Sequence, residues 1–153
     1  MPDWPMDPPK NDSEYFERMN RAVFQAGLNW KVVEGKWKNF RHAFSDFSID
    51  KVASFREREI ESLMKNPGIV RNEKKIAAAI HNANQALKIR AEFGSFRKYF
   101  DSFGSDQDRL LADLQERFHH LGPSSARVFA MMSGVKLKPT KEELKWHGKA
   151  GKC

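Results

Sequence analysis

Apolar residues recur along most of this chain at spacings of three and four, which predicts helix after helix and no alternating strand pattern. Phe16, Met19, Val23 and Ala26 share one face of a first helix, which Asp12 or Ser13 is placed to cap and Gly27 to close. A second helical segment runs from about Trp30 to Phe44. Asp50 is placed to cap a third, whose buried stripe is Ile60, Leu63 and Met64 and which Pro67-Gly68 breaks. The clearest helix is long, with Ile76, Ala79, Ile80, Ala83 and Leu87 on one face before Gly94 ends it. A short helix with Phe96, Tyr99 and Phe100 follows, and Gly104-Ser105 leads into another carrying Leu110, Leu111, Leu114 and Phe118. After the turn His120-Leu121-Gly122-Pro123, Ser124 opens a last helix with Val128, Phe129, Met132 and Val135. The predicted fold class is all-α.

Composition changes this picture little. With 153 residues, 40% of them hydrophobic and twelve phenylalanines, the chain suffices for one domain around one core. That domain spans 1–153, with a proline-rich extended arm over 1–11 and a lysine-rich tail over 136–153. The one cysteine, Cys153, allows no disulfide framework and no cysteine-built zinc site, and points to an intracellular, cytoplasmic location. No apolar run approaches a membrane span, and the N-terminus lacks a signal pattern. The formal charge of +7 is compatible with a polyanionic partner.

Candidate chemistry begins at the turn Leu121-Gly122-Pro123-Ser124-Ser125-Ala126 between two amphipathic helices. Gly122 is expected to adopt backbone angles that a side chain would block and to let another backbone approach. Pro123 suits the first helical turn, where its missing N–H is not needed. The free N–H groups beside Ser124 and Ser125 suit a phosphate, with Arg127 adding charge. Such a clamp grips DNA without reading its sequence. An ordinary helical hairpin with a glycine turn fits the same residues.

The segment Phe24-Gln25-Ala26-Gly27-Leu28-Asn29-Trp30 resembles the Gln-Ala-Gly-Leu-Ser-Trp core of the DNA-3-methyladenine glycosylase I family, members of the helix–hairpin–helix DNA glycosylases. Phe40-Arg41-His42-Ala43-Phe44, Phe47 and Val52-Ala53 continue the likeness. Gly68-Ile69-Val70-Arg71-Asn72, with Lys75-Ile76 and Ile80 to Ala83, is similar to that family's Gly-Ile-Ile-Arg-Asn signature and the helix beyond it. Gly94-Ser95-Phe96, Ser102-Phe103 and Leu121-Gly122 also fit, so the resemblance covers roughly residues 12–135.

The resemblance implies a monomeric, monofunctional enzyme, without cofactor, that extrudes an alkylated adenine from duplex DNA and hydrolyses its N-glycosidic bond. Trp30 matches the family's stacking tryptophan; an indole face attracts a cationic base by roughly 0.5–2 kcal/mol. Gly27 and Leu28 match the loop that fills the gap left by the extruded base, an apolar wedge between stacked bases. Gln25 supports that loop or serves as a plain structural amide.

Three departures bear on mechanism. The family has a base-contacting glutamate where this chain has Ala22, after Arg21. Its N-terminal Tyr-His-Asp stretch has no counterpart; Asp3-Trp4 corresponds at best to the Glu-Trp just beyond it. Its zinc draws cysteine and histidine from both ends of the chain, and His147 and Cys153 alone do not close a tetrahedral site, so no metal is expected. Glu17, Glu34 and Asp3 are candidate carboxylates for orienting water, and His42, His119 and His120 are further titratable groups, yet none is singled out as catalytic. The residues predicted to meet the base are therefore Trp30, Gln25 and Ala22, and those to meet phosphate are Gly122, Ser124, Ser125 and Arg127. The alternative is a non-catalytic DNA-binding relative that has lost the base-contacting acid.

Overall fold

A computed structural model describes residues 5–140. Among them the regular structure is entirely helical. Helix α1 (Asp12–Gln25) is followed by α2 (Trp30–Gly35), α3 (Trp37–Ala43), α4 (Ile49–Ala53), α5 (Glu57–Met64), the long α6 (Glu73–Phe93), α7 (Phe96–Asp101), α8 (Gln107–Arg117) and α9 (Pro123–Met132).

Several of the predicted boundaries shift. Asn11, not Asp12 or Ser13, caps α1, its side chain accepting from the Glu14 N–H at 2.9 Å. Asp12 is engaged elsewhere, its Oδ1 accepting from the Phe96 N–H at the start of α7. The predicted second helix divides at Lys36 into α2 and α3. The third divides into α4 and α5; Ser48 rather than Asp50 caps α4, while Asp50 pairs with Arg90 at 3.3 Å. Asn72, the end of the Gly-Ile-Val-Arg-Asn signature, caps α6 by accepting from the Lys75 N–H at 3.1 Å. Gly94 closes α6 at φ +91, a conformation glycine takes without a Cβ penalty.

The core is aromatic. Phe16, Met19, Val23 and Phe24 of α1 are fully buried, as are Phe40, Phe44 and Phe47. Trp37 stacks on Phe47 with centroids 5.2 Å apart and on Phe40 at 5.1 Å, and its indole N–H donates to Glu17 at 2.8 Å. Between α3 and α4 three successive non-glycine residues, Ser45, Asp46 and Phe47, hold φ of 52, 54 and 55. That left-handed turn is strained. It is held by the complete burial of Phe47 against Trp37, Phe44 and Phe16.

The extended arm is pinned to the body. Buried Arg18 donates to the carbonyls of Asp7 and Met132, and Pro8 lies against Gly134, where an added Cβ would approach within 3.0 Å. Lys136–Thr140 has no helix; of the tail, Leu144, Trp146, His147 and Cys153 lie outside the described residues, as do Asp3 and Trp4. Helix α1 packs against α9, and this contact sets the end of the first helix beside the start of the last.

A candidate DNA-lesion cleft

Where α1 ends, the chain turns through Ala26 and Gly27 (φ +75), and the Leu28 N–H closes the turn on the Gln25 carbonyl at 3.0 Å. The positive φ at 27 favours glycine, since an L side chain there would be strained. Asn29 then caps α2, accepting from the Lys31 N–H at 2.9 Å, and so places Trp30 at the first helical position. Leu28 at the tip is 44% exposed. Val32, 48% exposed, adds a second apolar side chain on α2 that the sequence reading did not single out.

Ala22, Gln25, Ala26, Gly27, Leu28 and Trp30 line one side of a cleft of about 300 Å³; Ser124, Ser125 and Val128 line the other. The structure thus brings the two predicted elements, loop and hairpin, to one hollow. Trp30 is half-buried there, with the Lys31 ammonium 5.9 Å from its ring centre. Ala22 and Gln25 are buried in the wall. The cleft lining holds no carboxylate.

The hairpin departs from expectation in one respect. Gly122 has φ −80 and ψ −173, ordinary extended backbone, so no special conformation demands glycine there. The positive φ of this turn falls on His120, at 59. What Gly122 supplies is room, since a Cβ built on it would meet nothing within 4 Å. Pro123 occupies the first turn as expected, and no side chain caps α9. The first intrahelical bond runs from the Ala126 N–H to the Gly122 carbonyl at 2.9 Å, so the Ser124 and Ser125 N–H groups precede it. Arg127 lies away from them, lining a separate small hollow with Asp106 and Asp108 and donating to the Lys138 carbonyl at 3.1 Å.

The candidate carboxylates Glu17 and Glu34 are occupied elsewhere, and Asp3 lies outside the described residues. Glu17 accepts from the Trp37 indole and from Arg41 Nε at 2.6 Å, and Glu34 lies 3.6 Å from Arg21. His42 borders another hollow, with Ser45, Phe55 and Glu59. His119 stacks on His81 of α6, with centroids 3.4 Å apart and planes 9° apart. Burial and the neighbouring His119 push the His81 imidazole below the ordinary histidine value. Among the described residues no group of three or more His, Cys, Asp or Glu side chains is placed to hold a metal ion, and His147 and Cys153 lie outside them.

Two buried polar residues of α6 hold the backbone beside the cleft; both fall in the family-like stretch of the sequence, which gives neither a supporting role. Lys75, 8% exposed, donates to the carbonyls of Phe24 at 3.1 Å and Ala26 at 2.7 Å. Asn82, fully buried, donates to the His119 carbonyl at 3.1 Å and accepts from the His119 N–H at 2.8 Å.

An all-helical domain with a loop and a helical hairpin sharing one cleft defines the architecture of the 3-methyladenine DNA glycosylase I type. The chain belongs to the methyladenine glycosylase family, whose model matches residues 3–133. It is 35% identical over 103 residues to DNA-3-methyladenine glycosylase 1 of Escherichia coli (strain K12), a stretch covering 67% of this chain and 55% of that protein. To the DNA-3-methyladenine glycosylase of Haemophilus influenzae it is 32% identical over 96 residues, 62% of this chain and 52% of that one. The match thus spans about half the length of these curated relatives. Among solved structures, 3-methyladenine DNA glycosylase I in complex with 3-methyladenine superposes with a TM-score of 0.76 at 28% identity, covering 92% of this chain and 87% of that one. The Staphylococcus aureus enzyme gives the same TM-score and identity, covering 92% and 86%. No described helix is long and apolar enough to cross a membrane.

Proposed function

We propose that the chain is a DNA base-excision N-glycosylase that removes alkylated purines of the 3-methyladenine type from duplex DNA. The observation that carries this reading is the single cleft lined by Gln25–Trp30 and by the start of α9. An extruded base carrying positive charge stacks on Trp30, with Gln25 and Ala22 bounding it, while Gly27 and Leu28 enter the gap it leaves. The N–H groups of Ser124 and Ser125, approached across open Gly122, hold a backbone phosphate, and Arg127, turned into the hollow with Asp106 and Asp108, stands outside that clamp.

The chemistry asked of this cleft is modest. The N-glycosidic bond breaks with its electron pair passing to the cationic base, which leaves neutral. Water adds to the sugar carbon and releases a proton to solvent. Alkylation has already made the base a good leaving group, so a cleft lined without carboxylate fits lesions of this intrinsically labile kind and not neutral ones. Lys75, the buried lysine beside the loop, commits its ammonium to two carbonyls. That arrangement withdraws Lys75 from the free-amine role that strand cleavage would need. Family membership and a net charge of +7 support an enzyme that meets DNA.

The carboxylate-free lining also favours a second reading, a DNA-binding relative that recognises lesions without excising them. Single-turnover release of 3-methyladenine from methylated duplex, with an Ala22→Glu variant alongside, separates the two. Release by the natural chain is expected. Release only by the variant, or tight lesion binding with no release by either, establishes the second reading.

A further inference from the structure

Lys75 and Asn82 lie seven positions apart on α6, about two turns or roughly 10 Å along one face. Both are buried polar residues on a face otherwise built of small apolar ones, with Ala79 and Ala83 fully buried between and beside them. Each spends its side chain on the backbone of a different element that lines the cleft or turns into it.

At the end of α1 the last carbonyls lack intrahelical partners. Lys75 satisfies those of Phe24 and Ala26 and sets a positive charge at the negative end of the helix dipole. Burial alone pushes its ammonium below the ordinary lysine value, and no carboxylate stands against it. A buried cation that serves only carbonyls costs desolvation that an apolar side chain would avoid. The return is geometric, because the two carbonyls flank Gln25 and directly precede Gly27-Leu28. Asn82 acts likewise on the other element. Its amide forms both backbone hydrogen bonds of His119, the residue that precedes the positive-φ His120 and leads into Gly122. Lys75 is itself fixed by the Asn72 cap, three residues earlier.

We propose that Lys75 and Asn82 are positioning residues through which one face of α6 sets the separation between the wedge loop and the phosphate-binding hairpin. Neither reaches the cleft; each acts through the backbone it holds. The functional consequence rests on the glycosylase reading, whereas the anchoring itself does not.

Amide hydrogen exchange on the free, full-length chain tests the anchoring. Lys75→Met should speed exchange over residues 26–29 by about tenfold or more and leave His119 unchanged, while Asn82→Leu should do the reverse. Lys75→Gln, which keeps a donor, should fall between wild type and Lys75→Met and serves where the methionine variant does not fold. Tyr99→Phe, which removes a buried hydrogen bond to Asp113 away from the cleft, should lower Tm without speeding either segment. Equal acceleration of both segments in each variant, or in neither, overturns the proposal. With DNA, the probe is a duplex bearing one abasic-site analogue beside an undamaged duplex. Lys75→Met should lose the preference between them, and Asn82→Leu should weaken both by the same factor. If wild type has no such preference while the exchange pattern holds, the glycosylase reading fails and the anchoring stands.

Discussion

The two walls of the cleft are built on opposite principles. The loop side ends in exposed apolar surface, Leu28 at 44% and Val32 at 48%, beside a half-buried indole. The hairpin side presents backbone N–H groups, two serines and an open glycine. Apolar and aromatic surface gains most when a base leaves its stack, because only then is there a gap to fill and a face to cover. Backbone donors gain from any phosphate, damaged or not. On the proposed function, one wall discriminates and the other holds. The two are also supported differently: a lysine ammonium donates to carbonyls of the loop, and a neutral amide pairs with both the N–H and the C=O of His119 before the hairpin.

The largest effect that would sharpen this contrast is expected from Trp30→Ala. Loss of stacking worth up to about 2 kcal/mol corresponds to a loss of roughly 30-fold in affinity for methylated duplex, with undamaged duplex nearly unaffected. Fluorescence anisotropy on paired duplexes measures it, and an equal loss on both would take Trp30 out of the discriminating wall. Gly122→Val should act on the other wall alone. A Cβ at position 122 meets nothing within 4 Å and the backbone there is extended, which a β-branched residue adopts, so Tm should stay within about a degree or two of wild type. Binding to every duplex should weaken by about tenfold, the worth of one charge-assisted hydrogen bond, and the salt dependence should become shallower. Unchanged affinity would mean that the hairpin does not approach phosphate.

Helical content and the two cleft elements were legible because they rest on local signals: apolar periodicity, the Gln25–Trp30 run and the Gly122-Pro123 turn. Trp30 stood out through its motif, while Trp37, seven positions on, carries no such mark and proves to be core, stacked between Phe40 and Phe47. The breaks at Lys36 and at Ser54–Arg56 were hidden because the apolar rhythm runs on across them. The left-handed Ser45–Phe47 turn was hidden for another reason: it contains no glycine, and burial of Phe47 overrides local preference. Of the two roles expected of Gly122, the structure keeps the open space and not the special backbone conformation. Lys75 and Asn82 were illegible as supports, since their partners lie 49 to 51 and 37 residues away in the chain.

The smallest expected effect concerns the hairpin's footing. His81 faces His119 at 3.4 Å, and burial, foremost, with His119 and Lys88 outweighs the Arg117 backbone and lowers its proton affinity in the fold. The unfolded chain then binds a proton at this site more readily than the folded one. Stability is therefore fully present above the ordinary histidine value near 6.5 and declines as pH falls from there toward the depressed folded value. Below both values the decline stops growing. Thermal melts of wild type between pH 7 and pH 5 should show this fall, and His81→Phe, which keeps a ring to stack on His119 but cannot charge, should reduce it. An unchanged slope in the variant would assign the acid sensitivity to other groups and leave the imidazole pair as packing alone, with the Asn82 amide as the element that holds the hairpin in place.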